Sequence, residues 1–128
     1  MNKHKILVVD DEIAIQDFIN NLLVQENYVV ETCDGNGALK IAQSFQPDLV
    51  LLDVMMPAIN GIEISNKLKS NPVTKNIPVI LMSGSRGLIE APERSNQVEG
   101  TLEKPFTIES LLECINRFFD TRQKKKTA

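Results

Sequence analysis

Three short apolar runs, separated by segments whose apolar residues recur at helical spacing, leave this chain few folds to adopt. Lys5-Ile6-Leu7-Val8-Val9, Leu49-Val50-Leu51-Leu52 and Pro78-Val79-Ile80-Leu81-Met82 show no polar alternation, so each predicts a strand buried on both faces. Pro78 is tolerable at a first strand position. Tyr28 to Cys33 is β-rich and short, ends at the turn signal Asp34-Gly35, and predicts a second strand; Leu49 to Val54 makes the third and Pro78 to Met82 the fourth. Gly100 to Glu103 is a brief fifth.

Between these strands the period changes. Ile13, Phe18, Ile19, Leu22 and Leu23 predict a first helix over about 13–25 with those residues inward. Gly37 to Ser44 predicts a second, stopped by Pro47, and Ile62, Ile64 and Leu68 a third, ending before Asn71-Pro72. From Arg86 to Glu99, Gly87 and Pro92 interrupt the pattern, and a short or irregular fourth helix is expected. Thr107 caps a last helix with Ile108, Leu111, Leu112, Ile115, Phe118 and Phe119 on its buried stripe. Five strands alternating with five helices give an α/β protein, a doubly wound parallel sheet covered on both faces. The loop Met55 to Gly61 contains Asn and Gly, which permit left-handed backbone there.

At 128 residues, 42% hydrophobic and 24% charged, the chain makes one globular domain with one real core. A net charge of -3 gives no general attraction to nucleic acid, so no direct nucleic-acid binding is expected; Lys124-Lys125-Lys126 is basic only locally. The amino terminus carries no long apolar run, which predicts neither a secretory signal nor a membrane span and makes the cytoplasm the expected location. Cys33 and Cys114 have no metal-ligand spacing and read as packed, reduced thiols. His4, the one histidine, reads as a surface residue around which no catalytic triad assembles.

The ends of the strands carry the chemistry. Asp10 and Asp11 close the first strand, Asp53 the third, Ser83 the fourth, and Lys104 follows the fifth. In parallel α/β sheets, ligands sit beyond the carboxyl ends of the strands. An acid there is often a helix or turn cap, and Asp11 or Glu12 could cap the first helix; Ser83 alone reads as a turn residue and Lys104 alone as a surface charge. Together they suit phosphoryl transfer. A carboxylate can attack phosphorus to give an aspartyl phosphate, provided a divalent cation, a cationic side chain and a hydroxyl neutralise the incoming anion. Asp53 is the natural nucleophile, Asp10 and Asp11 the cation holders, Lys104 and Ser83 the partners of the phosphoryl oxygens.

The segments Val8-Val9-Asp10-Asp11-Glu12, Leu51-Leu52-Asp53-Val54-Met55-Met56-Pro57 with Gly61, Met82-Ser83-Gly84 and Lys104-Pro105-Phe106, in that order, make the chain similar to the receiver domain of two-component response regulators. The resemblance implies a flavodoxin-like sheet with strand order 2-1-3-4-5, over a domain of residues 1–121, with 122–128 a basic disordered tail or linker start. It implies that a histidine kinase or phosphotransfer protein phosphorylates Asp53, and that Asp10, Asp11, Asp53 and the backbone carbonyl of Met55 hold Mg2+. It further implies that Lys104 and Ser83 sense the product, that Lys104-Pro105 is a cis peptide as is usual in the family, and that a downstream protein reads the face of the fourth helix, fifth strand and last helix. The chain's only catalysis is expected to be its own phosphorylation and dephosphorylation, as a monomer or weak homodimer; a stand-alone protein is the expectation, a receiver cut from a longer regulator at the Lys-rich tail the alternative.

The chain departs from the family at three places. Thr101 stands where Tyr or Phe is usual, the interval from Ser83 to Lys104 is about one residue short, and Cys114 replaces an arginine of the winged-helix subfamily. Threonine cannot fill an aromatic-sized space, so a constitutive interaction protein on the same fold is the alternative reading. Met55, where covalent phosphatases carry a second acid, and the absence of GxGxxG and GxxxxGK[ST] argue against a phosphatase or a nucleotide-binding protein. Met55, Met56 and Met82 read as packing residues.

Overall fold

The computed structural model describes residues 3–57, 59–84 and 98–127. Its elements are β1 (Lys5–Val9), α1 (Ile13–Gln25), β2 (Val29–Cys33), α2 (Ala38–Phe45), β3 (Leu49–Asp53), α3 (Gly61–Ser70), β4 (Val79–Ser83), β5 (Gly100–Glu103) and α4 (Ile108–Thr127), with a 3-10 turn at Gly35–Gly37 before α2. All strand pairs are parallel, in the order β2-β1-β3-β4-β5. The described residues thus hold four α-helices where five were expected; the expected fourth, between 86 and 99, falls largely on residues 85–97, outside the described residues.

Because strand side chains alternate between faces, β1, β3 and β4 each feed two cores. Leu7, Val9, Val50, Leu52, Val79 and Leu81 pack on one face against Ala38 and Ala42 of α2 and Ile64 and Leu68 of α3. Ile6, Val8, Leu49, Leu51, Ile80 and Met82 pack on the other against Ile19 and Leu23 of α1 and Leu111, Ile115 and Phe119 of α4. β3 is buried at all five positions, which is why its sequence reads as an unbroken apolar run. The register brings Val9 beside Cys33 and Leu52, and Asp53 beside Met82, so the strand ends form one rim.

Several expectations need correction. Ile13 is 70% exposed and Phe18 41%, and Ile108 is also exposed, although all three fit the helical period, while Ile19 and Leu111 in the same turns are buried. Met55 is 64% exposed and packs in neither core, while Met56 and Met82 do pack. No described glycine has positive φ, and Asn60 has φ -76 and caps α3, accepting from Ile62 N–H at 2.7 Å. The left-handed residues are instead Asn27 and Gln46, which close α1 and α2. Finally, α4 includes residues up to Thr127, within the segment 122–128 expected to be a basic disordered tail or linker start.

One buried group has no counterpart. Ser65, on α3 and 2% exposed, has a hydroxyl with no hydrogen-bond partner among the described residues. Leaving a hydroxyl desolvated and unpaired costs on the order of 1 kcal/mol or more. Ser65→Ala removes that cost and improves helix propensity, so it is expected to raise the thermal midpoint by about 3 °C. An unchanged or lowered midpoint in a melting scan would contradict this account of the hydroxyl.

Candidate functional site

The rim of the sheet gathers the predicted residues. Asp10 follows β1, and its N–H extends the ladder to the Cys33 carbonyl at 3.0 Å, which fixes its backbone. Its side chain is fully buried. One carboxylate oxygen accepts from the Glu12 N–H at 2.9 Å, and the other lies 3.1 Å from Lys104 Nζ. Asp53 ends β3, is 2% exposed, and lies 3.3 Å from the same ammonium through Oδ1, which also accepts from the Met55 N–H at 3.2 Å. Ser83 ends β4, buried, and its carbonyl accepts from Lys104 N–H at 2.8 Å, so β4 fixes where the lysine leaves the sheet. The peptide Lys104-Pro105 is cis, as expected.

Two buried acids therefore share one partly exposed cation. Burial pushes the Asp53 carboxyl above the usual carboxylate range and the Asp10 charge adds to this, while Lys104 and the Met55 N–H offset part of it. For Lys104, burial works against the ammonium, but its hydrogen bond to Asp10 and the charges of Asp10 and Asp53 outweigh this and hold it above its ordinary value. The lysine is charged at neutral pH.

Asp11 is exposed and adjacent. Carboxylate oxygens of Asp10, Asp11 and Glu12 all lie within 4.8 Å of one another. An all-oxygen, anionic set of this kind suits a hard divalent cation such as Mg2+. Glu12 belongs to this cluster, although the sequence presents it only as a possible helix cap; it occupies the N-cap position of α1 without any side-chain capping bond. The first turn of α1 also carries no acidic residue, so its unpaired N–H groups direct positive potential toward the cluster. The signal for Glu12 was its place in the Asp10-Asp11-Glu12 triplet.

Two further residues hold the site and have no chemistry of their own to announce them. Gly61 opens α3 with its N–H on the Val54 carbonyl at 2.9 Å, and a Cβ there would lie 2.7 Å from Val54 Cα and closer still to the Asp53 carbonyl oxygen. Gln16, one turn into α1, donates from Nε2 to the Asp10 carbonyl at 2.6 Å. Beside Lys104 an open cleft of about 430 Å³ is lined by Glu12, Ile15, Phe18, Gly84, Pro105 and Phe106.

Elsewhere the thiols are passive. Cys33 and Cys114 are unbridged and half-buried, and burial, then Asp34 and Glu31, pushes the Cys33 thiol up to about 12. Thr101 is exposed on β5, opposite Leu81 in register. No helix among the described residues is long and apolar enough to cross a membrane.

Comparison with known proteins agrees with this geometry. Sporulation initiation phosphotransferase F of Bacillus subtilis is 32% identical over 121 residues, covering 92% of this chain and 95% of that protein. Histidine kinase P4 of Formosa agariphila is 33% identical over 125 residues, 97% of this chain, which spans only 9% of the kinase's length. The structure of the chemotaxis response regulator CheY4 of Vibrio cholerae superposes with a TM-score of 0.83 at 31% identity, over 91% of this chain and 98% of that one. The family model of the response regulator receiver domain matches residues 6–116, and the chain belongs to that family.

Proposed function

We propose that this chain is a phosphorylation-activated receiver in which Asp53 accepts a phosphoryl group from a histidine kinase or phosphotransfer protein. One observation carries the reading: a single ammonium, Lys104, stands between two buried carboxylates, 3.1 Å from Asp10 and 3.3 Å from Asp53. Two buried acids sharing one cation are costly for a fold to retain. A surface that binds its partner constitutively needs no such site, so this arrangement favours the phosphorylated switch over the constitutive reading.

In the transfer, an Asp53 carboxylate oxygen attacks phosphorus. The new O–P bond forms as the bond from phosphorus to the donor breaks, and the donor atom leaves with that electron pair. Lys104 shifts from Asp53 toward a phosphoryl oxygen, and the Ser83 hydroxyl, at the end of the neighbouring strand, donates to another. Asp10, Asp11, Asp53 and the backbone carbonyl of Met55 would hold Mg2+, with Glu12 in the same cluster, and a bound ion supplies positive charge against the phosphoryl oxygens. The chemistry is confined to gain and loss of the chain's own phosphoryl group.

Ile13 and Phe18, exposed on α1, and the cleft at Phe106 give the donor an apolar rim next to the acids. Output is through protein binding at β5 and α4, where the exposed Thr101 stands in place of a ring. The test is incubation with Mg2+ and acetyl phosphate followed by intact-mass measurement and borohydride mapping. One phosphoryl group on Asp53, absent from Asp53→Asn, is expected. No adduct, or an adduct on another residue, would sink the reading.

A further inference from the structure

We propose that Gln16 is a positioning residue for the cation site, its amide fixing the Asp10-Asp11 peptide so that the Asp11 carboxylate meets those of Asp10 and Glu12. This rests on the proposed Mg2+ role of those acids. β1 ends at Val9; the Asp10 N–H still pairs with the Cys33 carbonyl, but the Asp10 carbonyl has left the ladder and accepts instead from Gln16 Nε2 at 2.6 Å. The Asp10 carboxylate is already committed, to the Glu12 N–H at 2.9 Å and to Lys104 at 3.1 Å. The Asp11 side chain is exposed, and the Asp10-Asp11 peptide that Gln16 holds is the fixed point from which its carboxylate reaches the cluster.

Gln16 is well placed to hold that plane. Its own N–H donates to the Glu12 carbonyl at 3.1 Å, in the first turn of α1, and helical side chains lean toward the N-terminus, which aims this one back at the end of β1. Residue type matters as well. A neutral amide caps a carbonyl without adding charge beside a cation; lysine or arginine would repel the ion, ionised glutamate could not donate, and asparagine is one methylene shorter.

The experiment is Mg2+ titration by calorimetry on wild type, Gln16→Met and Gln16→Ala. Met keeps the length and Ala keeps the helix, so one of them serves if the other does not fold. Mg2+ is expected to bind either variant roughly tenfold more weakly. The thermal midpoint without Mg2+ should stay near that of wild type. Phosphorylation by acetyl phosphate should be slow at limiting Mg2+ and return to within about twofold of wild type at saturating Mg2+. Unchanged affinity overturns the proposal, as does a defect that saturating Mg2+ leaves in place. Absence of Mg2+ binding by wild type would instead overturn the reading of the acids on which it rests.

Discussion

Lys104→Met is expected to lose about 3 kcal/mol of stability at neutral pH, seen as a fall in thermal midpoint of roughly 10 °C. The reason is the pair of acids it leaves behind. Asp10 is fully buried and Asp53 2% exposed, and Lys104 is the cation that both face. Breaking a buried charge cluster by removing one sign costs about 3–5 kcal/mol. The loss has a ceiling, because Asp53 can take up a proton: at pH 7.5 that costs about 5 kcal/mol for a carboxyl of ordinary pKa, and less for one already raised.

The pH dependence distinguishes this cause from lost packing. In wild type, burial and Asp10 already raise the Asp53 pKa against the opposing effect of Lys104. A carboxyl whose pKa is raised in the folded state contributes stability that is complete below its unfolded pKa and is lost as pH rises through the folded value. Removing Lys104 raises the folded value further and widens that window upward. The variant should therefore regain stability on acidification from pH 8 toward 5, with a slope of up to about 1.4 kcal/mol per pH unit where the native state holds the extra proton. The raised pKa of Lys104 acts at the other end, with a contribution complete below the ordinary lysine value and lost above it. Adding Asp53→Asn to Lys104→Met removes one buried charge and should return most of the loss, and Mg2+ should raise the midpoint of the single variant more than that of wild type. A Lys104→Met protein with the same pH profile as wild type, or a double variant less stable than the single one, would refute this account of the site.

The sheet and the acids on its rim were legible because both are properties of short stretches of chain. An apolar run such as Leu49 to Leu52 can be satisfied only inside a sheet, and parallel strands place their carboxyl ends together, so Asp10, Asp53 and the segment holding Lys104 had to meet. What was not legible depended on the third dimension. Periodicity puts Ile13, Phe18 and Ile108 on plausible stripes, but it does not say how wide a stripe the packing partners cover, and these three lie outside it while Ile19 and Leu111 lie within. Met55 looked like packing because it is apolar; its N–H, not its side chain, touches Asp53. Gln16 escaped notice because it acts on a backbone carbonyl, Asp10's, which no side-chain motif records, and Gly61, visible as a motif residue, gave no sign of its close approach to the Asp53 carbonyl.

Gly61→Ala tests the second of these contacts and should be severe for a change of one methyl group. Judged by helix propensity alone, alanine in the first turn of α3 would be an improvement of up to about 1 kcal/mol. No positive φ is involved, so backbone strain gives no reason for loss either. The obstacle is that the added Cβ would lie 2.7 Å from Val54 Cα and nearer still to the Asp53 carbonyl oxygen. Both are main-chain atoms between the buried end of β3 and the loop to α3, where Val54 N–H is held by the Met82 carbonyl at 2.9 Å and cannot simply swing away. Either α3 lifts from Leu52 and Leu81, opening the core where Ile64 and Leu68 pack, or the Asp53-Val54 peptide moves. We expect a loss of about 3 kcal/mol and a midpoint lower by roughly 10 °C, with phosphorylation slowed beyond what Mg2+ saturation restores, since the nucleophile itself is displaced. Gly100→Ala is the control, because its Cβ would meet Ile80 Cγ1 at an ordinary 3.7 Å. Equal midpoints and equal phosphorylation rates for Gly61→Ala and wild type would mean that the close approach of α3 to β3 does not hold Asp53 in place.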